Sequence, residues 1–132
     1  MKQLLTLMLF ISSIFAISNN DFLAPNEAFK VNIFETEKNV QIKLDIDETI
    51  YLYDDKLKVF IGKTDITKGV LFHKPVDYHG FTVHFGDINI PISKELINKT
   101  NGNGTYDIEI KYQGCSKKGL CYAPMNENIL EH

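Results

Sequence analysis

Three stretches of the chain alternate apolar and polar residues with a period of two, and this alternation constrains the fold more than any other feature. Val40, Ile42, Leu44 and Ile46 are interleaved with Gln41, Lys43 and Asp45. Phe81, Val83 and Phe85 alternate with Thr82 and His84, and Tyr106, Ile108, Ile110 and Tyr112 alternate with Asp107, Glu109 and Lys111. Successive side chains of a strand point to opposite faces, so each stretch predicts a half-buried strand with its apolar set inward and its polar set, His84 included, outward. Shorter strands are predicted over Phe29–Phe34, Ile50–Tyr53, Leu57–Ile61 and Ile88–Ile92. Turn signals separate them: Tyr53-Asp54-Asp55, Gly62-Lys63-Thr64-Asp65, and the run Asn98–Gly104 with its two Asn-Gly pairs.

After residue 18 no segment keeps a helical period, although Ser93–Asn98 predicts a turn or two. Seven or so short strands with frequent turns predict an antiparallel β-sandwich; a barrel would give much the same pattern, because periodicity does not set strand order. There is no internal repeat, low-complexity tract or linker, and 132 residues with 44% hydrophobic composition suffice for one core.

The first residues read as a targeting segment. Met1-Lys2 gives a positive start, Leu4–Ile17 is apolar apart from Thr6, Ser12 and Ser13, and Ala16-Ile17-Ser18 is a small-x-small ending. The run is shorter than the roughly 20 residues a spanning helix needs, which favours a cleaved signal peptide over an anchor. The expected organisation is a signal peptide over 1–18 and one exported domain over 19–129. Leu130-Glu131-His132 resembles the scar of a purification tag, with the natural chain continuing past Ile129. Removing Lys2 with the leader takes the formal charge from −3 to about −4. All fourteen basic residues are lysine; without the bidentate guanidinium fork, nucleic acid is not an expected partner.

Export bears on the only two cysteines, Cys115 and Cys121, in Tyr112-Gln-Gly-Cys-Ser-Lys-Lys-Gly-Leu-Cys-Tyr-Ala-Pro124. Outside the cytosol a disulfide can persist. Tyr112 ends a strong strand, Gly114 and Gly119 permit tight backbone, and Pro124 halts the extended run that resumes at Tyr122. The pair therefore sits at the mouth of a hairpin-like excursion, within the Cα separation of about 4.4–6.8 Å that a disulfide requires. As a staple it would do little: a loop of roughly seven residues removes about 2.4 kcal/mol of unfolded-state freedom, against about 4.7 for a loop of about 100 residues. As a tool it needs a thiolate, which Lys117 and Lys118 would favour, while Tyr112 and Tyr122 would wall it from solvent. Zinc fits poorly, since His73, His79 and His84 have no ligand-like spacing with the cysteines. The residues alone leave staple and tool balanced.

Tyr112-Gln113-Gly114-Cys115, five residues, then Cys121-Tyr122-x-Pro124 resembles the active-site segment of the N-terminal periplasmic domain of the thiol:disulfide interchange protein DsbD, with Ala123 in place of that family's first proline. Tyr51-Leu52-Tyr53 is similar to its Tyr-Leu-Tyr segment, and Phe22-Leu23 with Ala28-Phe29 to its N-terminal stretch. The resemblance implies an immunoglobulin-like antiparallel β-sandwich carrying a short active-site hairpin and a cap loop. The cap would lie over His73–Gly80, with Tyr78 as the aromatic lid and Asp77 as an acidic neighbour. Cys121 would form mixed disulfides and Cys115 would resolve them, with Tyr51, Tyr53, Tyr112 and Tyr122 around them.

The implied activity is a periplasmic protein-disulfide reductase without cofactor or metal. Electrons would come from membrane and C-terminal thioredoxin-like domains of a longer inner-membrane protein. They would pass to thioredoxin-like periplasmic partners such as a disulfide isomerase or a cytochrome c maturation thioredoxin. The competing expectation is a secreted β-sandwich binding module whose Cys115–Cys121 bond is an inert hairpin clip.

Overall fold

The structure, a computed structural model, describes residues 22–101 and 106–131; the signal-peptide segment and His132 lie outside them. Among the described residues every strand pairing is antiparallel, and the strands form three small sheets. The first sheet joins β1 (Phe29–Glu35), β2 (Asn39–Ile46) and β8 (Ile88–Ser93) in the order β1-β2-β8. The second runs β10-β3-β7-β6, built from β3 (Ile50–Tyr53), β6 (Val76–Tyr78), β7 (Phe81–Phe85) and β10 (Gly114–Ser116). The third runs β11-β9-β4-β5, from β4 (Lys58–Ile61), β5 (Thr64–Asp65), β9 (Tyr106–Tyr112) and β11 (Met125–Glu131). A four-residue helical turn, α1 (Pro25–Ala28), precedes β1, and α2 (Lys94–Asn101) follows β8.

The alternation in the sequence is the alternation of burial. Val40, Ile42, Leu44 and Ile46 of β2 are all buried and their neighbours are half-exposed. Ile108 and Ile110 of β9 face Ile61 and Val59 of β4, and all four are buried. With Ile88, Ile90 and Ile92 of β8 and Ile97 of α2 they make one core, rich in β-branched side chains that pack well on a pleated surface. Ser93 caps α2 by accepting the Leu96 N–H at 3.0 Å, which starts the helix where a turn or two was predicted.

Three expectations need correction. His84 is not outward: it is 1% exposed, while Phe81 of the same strand is 53% exposed. His84 lies opposite Leu52, a fully buried core residue, so its side chain is on the covered face although Thr82, two residues before it, is exposed, and the Phe81/Val83/Phe85 set is on the other face. Alternation marks two faces; it does not say which is covered. Second, the cap segment is partly strand. Val76–Tyr78 pairs with β7 through a two-residue turn in which His79 and Gly80 both have positive φ (51° and 84°), the backbone of a type I′ hairpin. Third, Pro124 does not end extended structure. β11 follows at once and runs through Leu130 and Glu131, which resemble a tag scar in the sequence but pair with Asp107 and Tyr106.

Ile110 is fully buried between β4 and β11. Ile110→Ala is expected to cost about 2–5 kcal/mol in denaturant unfolding. Ile33→Ala, at a side chain 45% exposed on β1, should stay within about 0.5 kcal/mol.

Candidate active site

The cysteine pair is made by a strand that turns back on itself. The Tyr53 N–H donates to the Gln113 carbonyl at 3.0 Å as the chain leaves β9 and enters β10 beside β3. After Ser116 a tight turn closes with the Gly119 N–H donating to the Ser116 carbonyl at 2.9 Å, and Gly119 takes φ 109°, a conformation that requires glycine. The chain returns so that Cys121 lies opposite Cys115. The Ser116 N–H donates to the Leu120 carbonyl (2.7 Å) and the Tyr122 N–H to the Gly114 carbonyl (3.0 Å), so the cysteines form the non-hydrogen-bonded pair between two ladder bonds. Such pairs bring Cα atoms closest, to about 4.5 Å. Here they are 3.9 Å apart, below the separation expected from the sequence, and the sulfurs are joined in a disulfide.

The two sulfurs are unequal. Cys115 is fully buried and Cys121 is exposed. Of the two, only Cys121 is accessible from the surface.

Register decides what surrounds them. Cys115 lies opposite Tyr51, and Tyr51 opposite Phe85, so a continuous row crosses β10, β3 and β7. Alternation places Tyr53 and Val83, and then Phe81 and Tyr78, on the same face. The rings pack edge to face: Tyr51 with Tyr53 (5.7 Å between centroids), Tyr53 with Phe81 (5.6 Å) and Tyr78 with Phe85 (5.2 Å). Tyr78 also leans on Tyr51 at 5.0 Å, so it reaches the disulfide's row through that ring. Burial, and then the hydrogen bond with Tyr53, hold the Tyr51 hydroxyl above the ordinary tyrosine range, which keeps it protonated. A disulfide sulfur carries no proton, so Tyr53 is the donor where its hydroxyl lies 3.3 Å from Cys115 Sγ; Cys121 Sγ is 4.0 Å away.

The remaining predicted residues are placed elsewhere. Tyr112 and Tyr122 do not wall the sulfurs from outside; they anchor the hairpin from the core side, both against Phe29 (5.2 and 5.4 Å). Burial, followed by the Glu127 carboxylate, pushes Tyr112 up to about 12, and the Tyr122 hydroxyl donates to the Leu23 carbonyl at 2.7 Å. Asp77 lies opposite Thr82, on the face away from Cys115, and its carboxylate accepts the Gly80 N–H at 3.3 Å. Lys117 donates to the Glu48 carbonyl (2.7 Å) and lies over the Phe85 ring (4.9 Å). The Tyr53 hydroxyl, rather than Lys117, is therefore the group nearest Cys115 Sγ. Phe81 and Phe85 complete the ring cluster without having been singled out in the sequence. Their signal, aromatics at i and i+4 of one strand face, reads equally well as core.

A groove of about 500 Å³ lined by Lys58, Lys111, Gln113 and Met125, among others, includes neither cysteine. The pair instead sits at an open surface near the half-buried Tyr53 ring, which packs on the exposed ring of Phe81, and the exposed Leu120, a setting suited to another protein rather than a small molecule. Among the described residues no group of three or more His, Cys, Asp or Glu side chains is arranged to hold a metal.

Comparison with known proteins agrees with this geometry. Residues 19–131 match the family described as thiol:disulfide interchange protein DsbD, N-terminal. The chain is 30% identical over 110 residues to the DsbD of Campylobacter jejuni, covering 83% of this chain and 19% of that protein. It is 32% identical over 118 residues to the DsbD of Vibrio cholerae, covering 83% and 18%. The chain thus spans about a fifth of the length of the curated relatives it matches. The crystal structure of the Neisseria meningitidis DsbD N-terminal domain in the reduced form superposes with a TM-score of 0.63 at 21% identity, over 85% of this chain and 90% of that one. The same domain in complex with the PilB N-terminal domain gives 0.63 at 23% identity, over 84% and 88%. The fold is that of these domains, an immunoglobulin-like sandwich.

Gly114 makes the site possible. A Cβ there would lie 2.5 Å from the Tyr51 carbonyl oxygen and 2.9 Å from Phe29 Cζ, and the backbone oxygen cannot swing aside. Gly114→Ala is expected to destabilise the domain by about 1–3 kcal/mol and to push β10 off β3. Denaturant unfolding, together with faster reduction of the disulfide by a small phosphine, would register both effects.

Proposed function

The chain belongs to the DsbD N-terminal family, and on that premise we propose that it is an exported thiol–disulfide exchange domain that passes reducing equivalents through Cys115 and Cys121 to oxidised protein partners. The observation that carries the reading is the inequality of the two sulfurs, one exposed and one buried under a tyrosine hydroxyl.

The exchange runs through one mixed disulfide. In the reduced domain the Cys121 thiolate attacks a sulfur of the partner's disulfide, and the partner's other sulfur leaves as a thiolate. Cys115 then attacks Cys121 Sγ, the second partner sulfur leaves, and the domain's disulfide forms as the partner gains two electrons and two protons. Recharging reverses the direction. A donor thiolate attacks the exposed Cys121 Sγ, Cys115 departs as a thiolate, and the Tyr53 hydroxyl donates to it at the moment charge appears. A donor hydrogen bond aimed where charge develops lowers the barrier without rearrangement.

In this reading the β6–β7 hairpin is the cap. Tyr78 closes the ring cluster over the Cys115 row, protecting the reduced pair from small oxidants until a docking partner displaces it. Asp77 holds the hairpin turn rather than acting on sulfur. Tyr51 orients Tyr53, while Tyr112 and Tyr122 hold the hairpin to the core. Donors would be the membrane and C-terminal thioredoxin-like parts of a longer inner-membrane protein, and acceptors would be thioredoxin-like periplasmic proteins. Support for docking comes from the neighbouring domain solved in complex with a second protein's N-terminal domain.

Cys115→Ala is expected to accumulate discrete mixed disulfides through Cys121 when mixed with an oxidised periplasmic extract, seen on a nonreducing gel. Cys121→Ala should accumulate none, and equal trapping by both variants would overturn the assignment of roles. Tyr78→Ala should speed oxidation of the reduced pair by a small oxidant about twofold to tenfold, the scale of one lost aromatic contact. An unchanged rate would remove Tyr78 from the lid.

A further inference from the structure

His84 is a buried ionisable side chain that the exchange chemistry does not use, and both of its ring nitrogens are engaged. Its Nε2 lies 2.6 Å from Asp54 Oδ1, and its Nδ1 lies 3.2 Å from His73 Nε2. Asp54 opens the short 3-10 turn directly after Tyr53, His84 is central in β7, and His73 lies in the irregular stretch 71–75 that leads into the cap hairpin. Within that stretch Phe72 packs against the core, but Leu71 is 86% exposed, Lys74 is exposed, and residues 71–75 form no regular element. Among the described residues, the His73 contact is its side-chain hydrogen bond to the body of the domain, with Phe72 packed beside it against the His84 ring (6.4 Å).

We propose that His73 and His84, anchored on Asp54, form a proton-operated latch that holds the cap segment closed and releases it when both rings are protonated. The inference rests on the reading of residues 73–80 as the cap.

The argument is a count of protons. An ionised carboxylate only accepts, so Asp54 fixes a proton on His84 Nε2. With both rings neutral, His84 Nδ1 offers a lone pair and His73 Nε2–H donates to it. With one added proton on His84, Nδ1–H donates to the His73 Nε2 lone pair, and the bond survives reversed. With two added protons the facing nitrogens both carry hydrogen, at 3.2 Å and with like charge, and the bond becomes a repulsion. Asp54 can satisfy one of the two cations, and His73 is the one free to swing into water.

The surrounding groups leave this count intact. Across the sheet His84 meets apolar Leu52, and Asp77 on β6 is occupied by the Gly80 N–H. Lys74 beside His73, and Asp55 and Lys56 beside Asp54, are exposed. His73 is largely exposed, but the partial burial of its ring, and then the charge of His84, hold it below the ordinary histidine value. A group so lowered contributes stability that is full above about pH 6.5 and is lost as the pH falls through its folded value. Release therefore comes on the acid side.

The test uses the folded domain and two readouts, amide-exchange protection over residues 71–78 and the rate of disulfide reduction by a water-soluble phosphine, each at about pH 7.5 and about pH 5. Rates are expressed relative to His73→Gln, which cancels the reagent's own protonation. The expected result is that the parent loses protection roughly fivefold to tenfold at the acid pH, the population change from one lost hydrogen bond, and is reduced correspondingly faster. In His73→Gln both quantities should be independent of that step. Asp54→Asn, which keeps the size and loses the charge, should move the parent's transition to lower pH, because no carboxylate then offsets either cation. Unchanged protection in the parent would overturn the latch and leave the cap reading standing. Lost protection with an unchanged reduction rate would overturn the cap reading on which the latch depends.

Discussion

Everything at this site depends on how closely β10 approaches β3. Gly114 lies opposite Leu52 with room for a hydrogen and nothing more, since the Tyr51 carbonyl and the Phe29 ring occupy the place of a side chain. That approach sets the register, and the register puts Cys115 in one row with Tyr51 and Phe85. A one-residue slip would turn Cys115 to the core face and put Gly114 or Ser116 among the rings.

From the same row follows the difference between the sulfurs. β10 is covered on both sides, so Cys115 is buried; Cys121 comes back outside β10 as an isolated bridge partner and stays open. The Tyr53 hydroxyl sits within reach of both, nearer the buried one. A structural clip has no need of such asymmetry. An exchange centre does, because attack must fall on one sulfur and the other must leave into a prepared environment.

Much of the architecture was legible in the sequence because core strands advertise themselves. β2, β8 and β9 carry Ile, Leu and Val at alternate positions, and the structure buries those positions. β11 was not legible: in Met125–Glu131, Ile129 is its buried core residue, and the strand exists because β9 offers it a full ladder. β6 and β10 have three residues each and are defined by their partners. His84 was assigned to solvent because alternation cannot distinguish the core face from a second face covered by aromatic rings. At the site, the cysteines and the Tyr51–Tyr53 pair were visible from the motif and Tyr112 from the inward phase of its strand, whereas the core-side placement of Tyr122 required Phe29, far away in sequence, to be in view.

The central claim is that Cys115–Cys121 is a working redox couple held in an asymmetric setting, and its equilibrium is the most direct test. The reduced fraction of the domain would be measured by alkylation and mass after equilibration in defined glutathione or dithiothreitol buffers. The account predicts a potential between about −180 and −270 mV, the range of exchange proteins. A value below about −300 mV, typical of structural disulfides, would contradict it and make the bond a clip.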